Sequence, residues 1–190
     1  MYRLLILSIF FLTACSNNLE EVDALLQKEE IRSETARNIE LIYSDSAQVK
    51  LKIQAPLLKR MPDGNQSIEE FQQGLKANFY GPDKNITGWL ESKYAIRREK
   101  DNEITVRDSV VLWNKRKEKL ETSELIWNEK EETLKTNKFV RITQPTKGDT
   151  SYGWGFESNA DFTRFEIKNK FSSKMSATEI SNALGKTNNK

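Results

Sequence analysis

The sequence predicts an all-β domain of stacked antiparallel hairpins, and three observations carry that prediction. Apolar residues alternate with a period of two in many short runs, polar turn residues bound each run, and one block of the pattern returns at a spacing of thirty positions. Period-two alternation gives a strand one buried face and one solvated face. No helical pattern separates the central runs, so turns rather than crossover helices are expected to join them.

Ile39, Leu41 and Tyr43 form the first run, and Val49, Leu51 and Ile53 the second. Pro56 to Ser67, containing Met61-Pro62-Asp63-Gly64-Asn65, reads as a long loop with strong turn chemistry. Ser67 to Gln73 suits a helical turn or an edge strand. Leu75, Ala77 and Phe79 alternate next, and Leu90, Ser92, Tyr94 and Ile96 read as one continuous run. Ile104 with Val106, Val110 with Leu112, Leu125 with Trp127, and Val140 with Ile142 follow. Phe162 to Lys168, with Phe165 and Ile167, is the last expected strand. Leu90-Glu91-Ser92 recurs as Leu120-Glu121-Thr122, Ile104 maps onto Leu134, Val110 onto Val140, and Leu112 onto Ile142. A looser copy starts at Phe156-Glu157-Ser158. Such a repeat indicates stacked hairpin units that share one core, joined by charged turns such as Arg97 to Glu103. A stack of hairpins has two open ends, and an exposed strand edge is where another sheet can add.

The flanks differ in kind. Met1-Tyr2-Arg3 precedes an apolar run from Leu4 to Leu12, which is the shape of a secretory signal over residues 1–14. The run is shorter than the roughly 20 residues a membrane-spanning helix needs. It ends Leu12-Thr13-Ala14-Cys15, which resembles a bacterial lipobox. Cleavage before Cys15 and acylation there, with fatty acids such as palmitate, would tether the domain to a bilayer. Residues 15–35 then read as a lipidated tether, in which Leu19, Val22, Leu25 and Leu26 fit either a short amphipathic helix or a linker. Residues 36–171 form the expected domain. Residues 172–190, rich in Ser, Thr, Asn and Lys, read as a disordered polar tail.

Composition removes most catalytic chemistries. The 190 residues include no histidine and one cysteine, with 30 basic and 28 acidic side chains. Histidine-dependent triads, histidine zinc sites, internal disulfides and CxxC motifs are excluded. The near balance of charge argues against nucleic acid as a partner. Glu69-Glu70 and Glu131-Glu132 are adjacent pairs, and neighbours on a strand point to opposite faces, so both pairs read as solvated turn charges. Lys115-Arg116-Lys117-Glu118-Lys119 lies between two strands and reads as a hairpin tip in preference to a headgroup site. Asn85-Ile86-Thr87 matches a glycosylation pattern that a lipobox-bearing protein would not use. Trp89, Trp113, Trp127 and Trp154 sit among the strands as core or as the lining of an apolar ligand path. Gly153-Trp154-Gly155-Phe156 marks a bulge or a close backbone approach. No catalytic residue, metal ligand or cofactor is expected.

Three blocks carry a family resemblance. The first is Tyr43-Ser44-Asp45-Ser46 after the Ile39/Leu41 strand, followed by Val49 to Ile53. The second runs Val110-Val111-Leu112-Trp113-Asn114, Leu120-Glu121-Thr122 and Leu125-Ile126-Trp127-Asn128. The third is Thr136 to Ile142 leading to Gly153-Trp154-Gly155-Phe156-Glu157-Ser158. In this order they resemble the LptC family, the membrane-anchored bridge of lipopolysaccharide export. The resemblance implies an open, V-shaped β-jelly roll of the OstA/LptA-like kind, with no enzymatic activity. It implies lipopolysaccharide as cargo, LptF and LptG with the LptB ATPase on one side, and an LptA-like bridge protein on the other. It implies a position on the periplasmic face of the inner membrane, with the outer membrane less favoured. The usual family anchor is an uncleaved helix, whereas here the lipobox stands in its place. The expected groove lining is Ile39, Leu41, Val49, Leu51, Ile53, Phe79, Val110, Leu112, Val140, Ile142 and Phe156. The expected partner edges are Ile39, Leu41 and Tyr43 at one end and Phe162, Phe165 and Ile167 at the other. A closed-core β-sandwich lipoprotein that binds or assembles through its loops is the alternative.

Overall fold

The structure, a computed structural model, describes residues 33–171 and 177–185. The expected signal, Cys15 and the tether up to residue 32 lie outside the described residues, as do 172–176 and 186–190. The strands are β1 (Glu34–Asp45), β2 (Gln48–Asp63), β3 (Gln66–Phe71), β4 (Leu75–Tyr80), β5 (Ile86–Ser92), β6 (Tyr94–Arg98), β7 (Glu103–Asn114), β8 (Lys119–Asn128), β9 (Thr133–Gln144), β10 (Asp149–Asn159) and β11 (Phe165–Phe171). They form one 11-stranded sheet in the order β11-β10-β9-β8-β7-β5-β4-β2-β3-β6, with β1 on β2 and β6 also on β7. Every pairing is antiparallel.

The sheet is folded across its strands. Residues 51–54 of β2 pair with β4, and residues 59–63 pair with β3. Residues 103–107 of β7 pair with β6, and residues 111–114 pair with β5. Each long strand therefore belongs to two layers. The first layer holds the hairpin tips β1–β2, β4–β5, β7–β8 and β9–β10. The second holds the tips β2–β3, β6–β7, β8–β9 and β10–β11.

The fold line is written in the backbone. Ladder registers slip between Arg107 and Val110, between Thr122 and Ile126, and between Trp154 and Phe156. Asp108 and Ser109 both take positive φ, at 61° and 55°, and turn β7 sharply. Bulges of this kind bend a strand and raise its twist. Gly155 sits on the same line at φ 75°, where an L side chain is strained, and an added Cβ would stand 3.1 Å from Lys168. At Gly74 a Cβ would collide with the Ser92 carbonyl oxygen.

Several sequence expectations change here. Pro56 to Ser67 is no long loop, because β2 continues to Asp63 and only a tight turn follows. Pro56 lies where β2 passes from β4 to β3, and the β1 ladder skips it, so its missing N–H costs no bond. Ser67 to Gln73 holds β3, an internal strand between β2 and β6. The run Leu90 to Ile96 breaks at Lys93 into β5 and β6, because Lys93 meets the bend of β7 and its N–H bonds the Asp108 carbonyl at 3.0 Å. β1 starts at Glu34, ahead of the expected boundary at residue 36. The tail expected to be disordered contains a short helix, α1 (Ala177–Ala183), followed by Leu184, which is 2% exposed. Ile180, Ala183 and Leu184 share one helical face, a periodicity hidden by the polar residues between them. A Cβ added at Gly185, just past α1, would stand 3.5 Å from the Ser123 side chain on β8.

Candidate functional site

The interior between the two layers is built from two cross-strand rows. In the first layer, Leu41, Ile53, Ala77, Leu90, Leu112, Leu120, Ile142 and Ser151 stand in register across eight strands. In the second, Arg60, Glu69, Arg97, Ile104, Trp127, Leu134, Ser158 and Phe165 do the same from β2 to β11. The thirty-residue repeat now has a physical meaning. Leu90 neighbours Leu112, Leu112 neighbours Leu120, and Leu120 neighbours Ile142, so one repeat advances the row by one hairpin. Burying each such aliphatic side chain contributes about 1.5–3 kcal/mol.

Eight expected lining residues, Leu51, Ile53, Phe79, Val110, Leu112, Val140, Ile142 and Phe156, are buried in this core. Ile39, Leu41, Tyr43, Phe165 and Ile167 are partly buried against it. Val49 is a correction. It is 38% exposed, because the register slips between Tyr43 and Ser44 and carries the end of β2 off the inward face. Phe162 is a second correction. It precedes β11 in a tight turn, where its N–H bonds the Asn159 carbonyl at 3.0 Å, and it is fully buried against Phe156 and Phe165. It therefore has no place on a sheet edge. β1 and β11 are the two outer strands, each paired on one side among the described residues.

The layers touch along their open side at three places. Near β1, the Tyr43 hydroxyl donates to Glu69 at 3.2 Å, and the Arg97 guanidinium lies 4.9 Å from the centre of the Tyr43 ring. Arg97 also grips Glu129 through two of its nitrogens. Burial, and then the Glu69 charge, raise the Tyr43 pKa. Burial works against the Arg97 charge, yet the bond to Glu129 and the charges of Tyr43, Glu129 and Glu69 hold its pKa above the usual value. Glu69 is only 4% exposed, which corrects its reading as a solvated turn charge, whereas Glu131 and Glu132 are exposed turn residues. In the middle, Phe79 meets Trp127 edge-on at 6.0 Å, and Lys50 pairs with Glu132 at 2.8 Å. A cleft of about 320 Å³ opens there, and the buried Trp127 indole N–H finds no acceptor among the described residues.

Near β11, Asn114 donates to Glu118 at 2.7 Å and to the Phe162 carbonyl at 2.8 Å. Glu118 also accepts from Arg116 at 2.7 Å and from Gln144 at 2.8 Å. Burial pushes the Glu118 pKa up, but these three donors outweigh it and hold the carboxyl below the ordinary value. Arg116 reaches across to the Thr163 carbonyl at 3.1 Å. Sequence pattern reads Arg116 and Glu118 as part of an ordinary hairpin tip, since a charge run between strands normally faces water. The 30-residue offset had already paired Leu90 with Leu120 and Ile104 with Leu134, whereas Phe71, in the segment from Ser67 to Gln73, had no alternation to mark it as core. Gly153 and Gly155 form no ligand loop. They admit β11, because a Cβ on Gly153 would collide with Ile167 and the Asn169 carbonyl.

No group of three or more potential metal ligands occurs among the described residues, and no helix there is long and apolar enough to cross a membrane. A bent antiparallel sheet with an apolar core between its layers and, at each end, a strand paired on one side only among the described residues is an all-β jelly roll. A family model for lipopolysaccharide-assembly, LptC-related proteins matches residues 4–175, and the chain belongs to that family. A role in lipopolysaccharide transport, at the periplasm and inner membrane, follows from that membership. No curated protein matches the chain.

Proposed function

We propose that the chain is the bridge of lipopolysaccharide export, receiving lipid from LptF and LptG, powered by LptB, and passing it to an LptA-like protein. The observation that supports this reading is the apolar row that runs in register from Leu41 on β1 through Ile53, Ala77, Leu90, Leu112 and Leu120 to Ile142 on β9, because acyl chains need a continuous apolar path. β1, with Ile39, Leu41 and Tyr43, is the edge for the transporter, and β11, with Phe165 and Ile167, is the edge for the next bridge protein. Cys15 carries the lipid anchor on the periplasmic face of the inner membrane, and residues 16–32 are the tether. No step requires an enzyme group or a cofactor.

One observation favours a second reading, a closed core with function on the loops. Leu112, Leu120 and Ile142 are fully buried, and the three contacts described above hold the layers together. In the bridge reading this is the resting state, and lipid enters when the layers part along that open side. In-cell photocrosslinking separates the two. A photoreactive residue at Leu112 is expected to label lipopolysaccharide, while one at Lys119, which bonds Glu121 on the outer face, is expected not to. Label at neither, with the protein folded and abundant, would refute the lipid path.

A further inference from the structure

The cleft beside β11 has a charge pattern that the fold itself does not use. It measures about 630 Å³ and lies between the β7–β8 and β9–β10 tips of one layer and the β10–β11 turn of the other. Arg116, Lys147 and Arg164 surround it, Glu118 and Gln144 form its floor, and Phe165 is its apolar wall. The acids nearby are already engaged. Glu118 is held by Asn114, Arg116 and Gln144, and Asp161 accepts from the Thr163 hydroxyl at 2.7 Å. Glu131 pairs with Lys135, and Glu132 with Lys50. Among the described residues, neither Lys147 nor Arg164 forms an ion pair. Two uncommitted cations, one from each layer, thus face a cleft that already contains a guanidinium. Behind them Phe165 packs with Phe156 and Phe162, with ring centres 6.1 and 5.1 Å away, at the end of the interior row.

We propose that this cleft binds the phosphate of an acylated anionic headgroup while its chains lie against the Phe156–Phe162–Phe165 cluster. The chemistry fits a phosphate monoester. Its oxygens accept charge-assisted hydrogen bonds from guanidinium and ammonium groups, and arginine presents them in a fork that matches phosphate. An apolar wall beside a basic rim selects an amphiphile over a free anion. The position adds direction to the bridge reading on which this inference rests, because the phosphate would be held next to the edge from which lipid leaves.

The test is equilibrium binding to the full chain of diphosphorylated lipid A and of the same lipid with its phosphates removed, at fixed detergent and ionic strength. The wild type is expected to prefer the phosphorylated form by about tenfold, the size of one charge-assisted bond. K147Q/R164Q is expected to lose that preference and to keep its affinity for the dephosphorylated lipid. K93Q/K100Q, which removes the same charge from exposed positions elsewhere, is expected to keep the preference. Raised salt should narrow the wild-type preference. Retention of the preference by K147Q/R164Q, or an equal loss in K93Q/K100Q, would overturn the site. Inorganic phosphate binding as tightly as the lipid would overturn the amphiphile as its occupant. Uptake of neither lipid by the wild type would overturn the bridge reading itself, and this site with it.

Discussion

Glu118→Gln is the substitution with the most to say about how the layers are joined. Glu118 is 4% exposed and accepts hydrogen bonds from Asn114, Arg116 and Gln144. Glutamine keeps the volume but removes the charge and turns one oxygen into a donor. That donor would face Asn114, Arg116 or Gln144, all of which donate as well. One or two charge-assisted bonds are lost and a buried donor is left unmatched, which costs about 2–4 kcal/mol. The same Asn114 side chain holds the Phe162 carbonyl across the open side, so the β10–β11 turn is expected to loosen with it. Urea unfolding at pH 7 measures the loss. The pH dependence supplies a second reading with a definite sign. The folded Glu118 pKa lies below the ordinary 4.5. Its contribution is therefore complete above that value and disappears as the pH falls through the folded pKa. The stability gap between wild type and variant is expected to be constant from pH 7 to about pH 5 and to close at lower pH. Equal stability at pH 7, or a gap that persists in acid, would refute the assignment of a buried, charged acceptor at this position.

Two further outcomes test the bend and the contact near β1. Gly155→Val places a β-branched residue at φ 75° with its Cβ against Lys168, and is expected to cost about 2–3 kcal/mol and to raise hydrogen exchange in β10 and β11. An unchanged unfolding midpoint would refute the strained conformation. Tyr43→Phe removes the hydroxyl given to Glu69 but keeps the ring against Trp127 and Arg97, and is expected to cost about 1 kcal/mol in the same urea assay. A loss above about 3 kcal/mol would show that the hydroxyl, rather than the ring, holds that end.

The sequence by itself determined the class of fold and much of the core. Alternation at Leu51 and Ile53, at Val110 and Leu112, and at Val140 and Ile142 marks inward faces, because side chains on a strand have no other period to follow. The repeat was legible for the same reason, since hairpins stacked in register must return the same residue types at the same spacing. Tertiary structure decided the fold line. A bulge at Asp108-Ser109 or a crossing at Pro56 changes a strand's partner without interrupting its hydrophobic pattern, so the sequence shows a loop where the chain runs through and one strand where there are two. It also decided which charges are inside. Glu69 and Glu118 look like solvent-facing residues until the sheet forms, when Arg60 and Arg97 on neighbouring strands and Tyr43 of the opposite layer meet Glu69, and Gln144 on β9 joins Asn114 and Arg116 on Glu118, which makes their burial tolerable. Local pattern is governed by neighbours in the chain and survives in the sequence. The fate of a buried charge depends on residues tens of positions away, and only the folded chain brings them within reach.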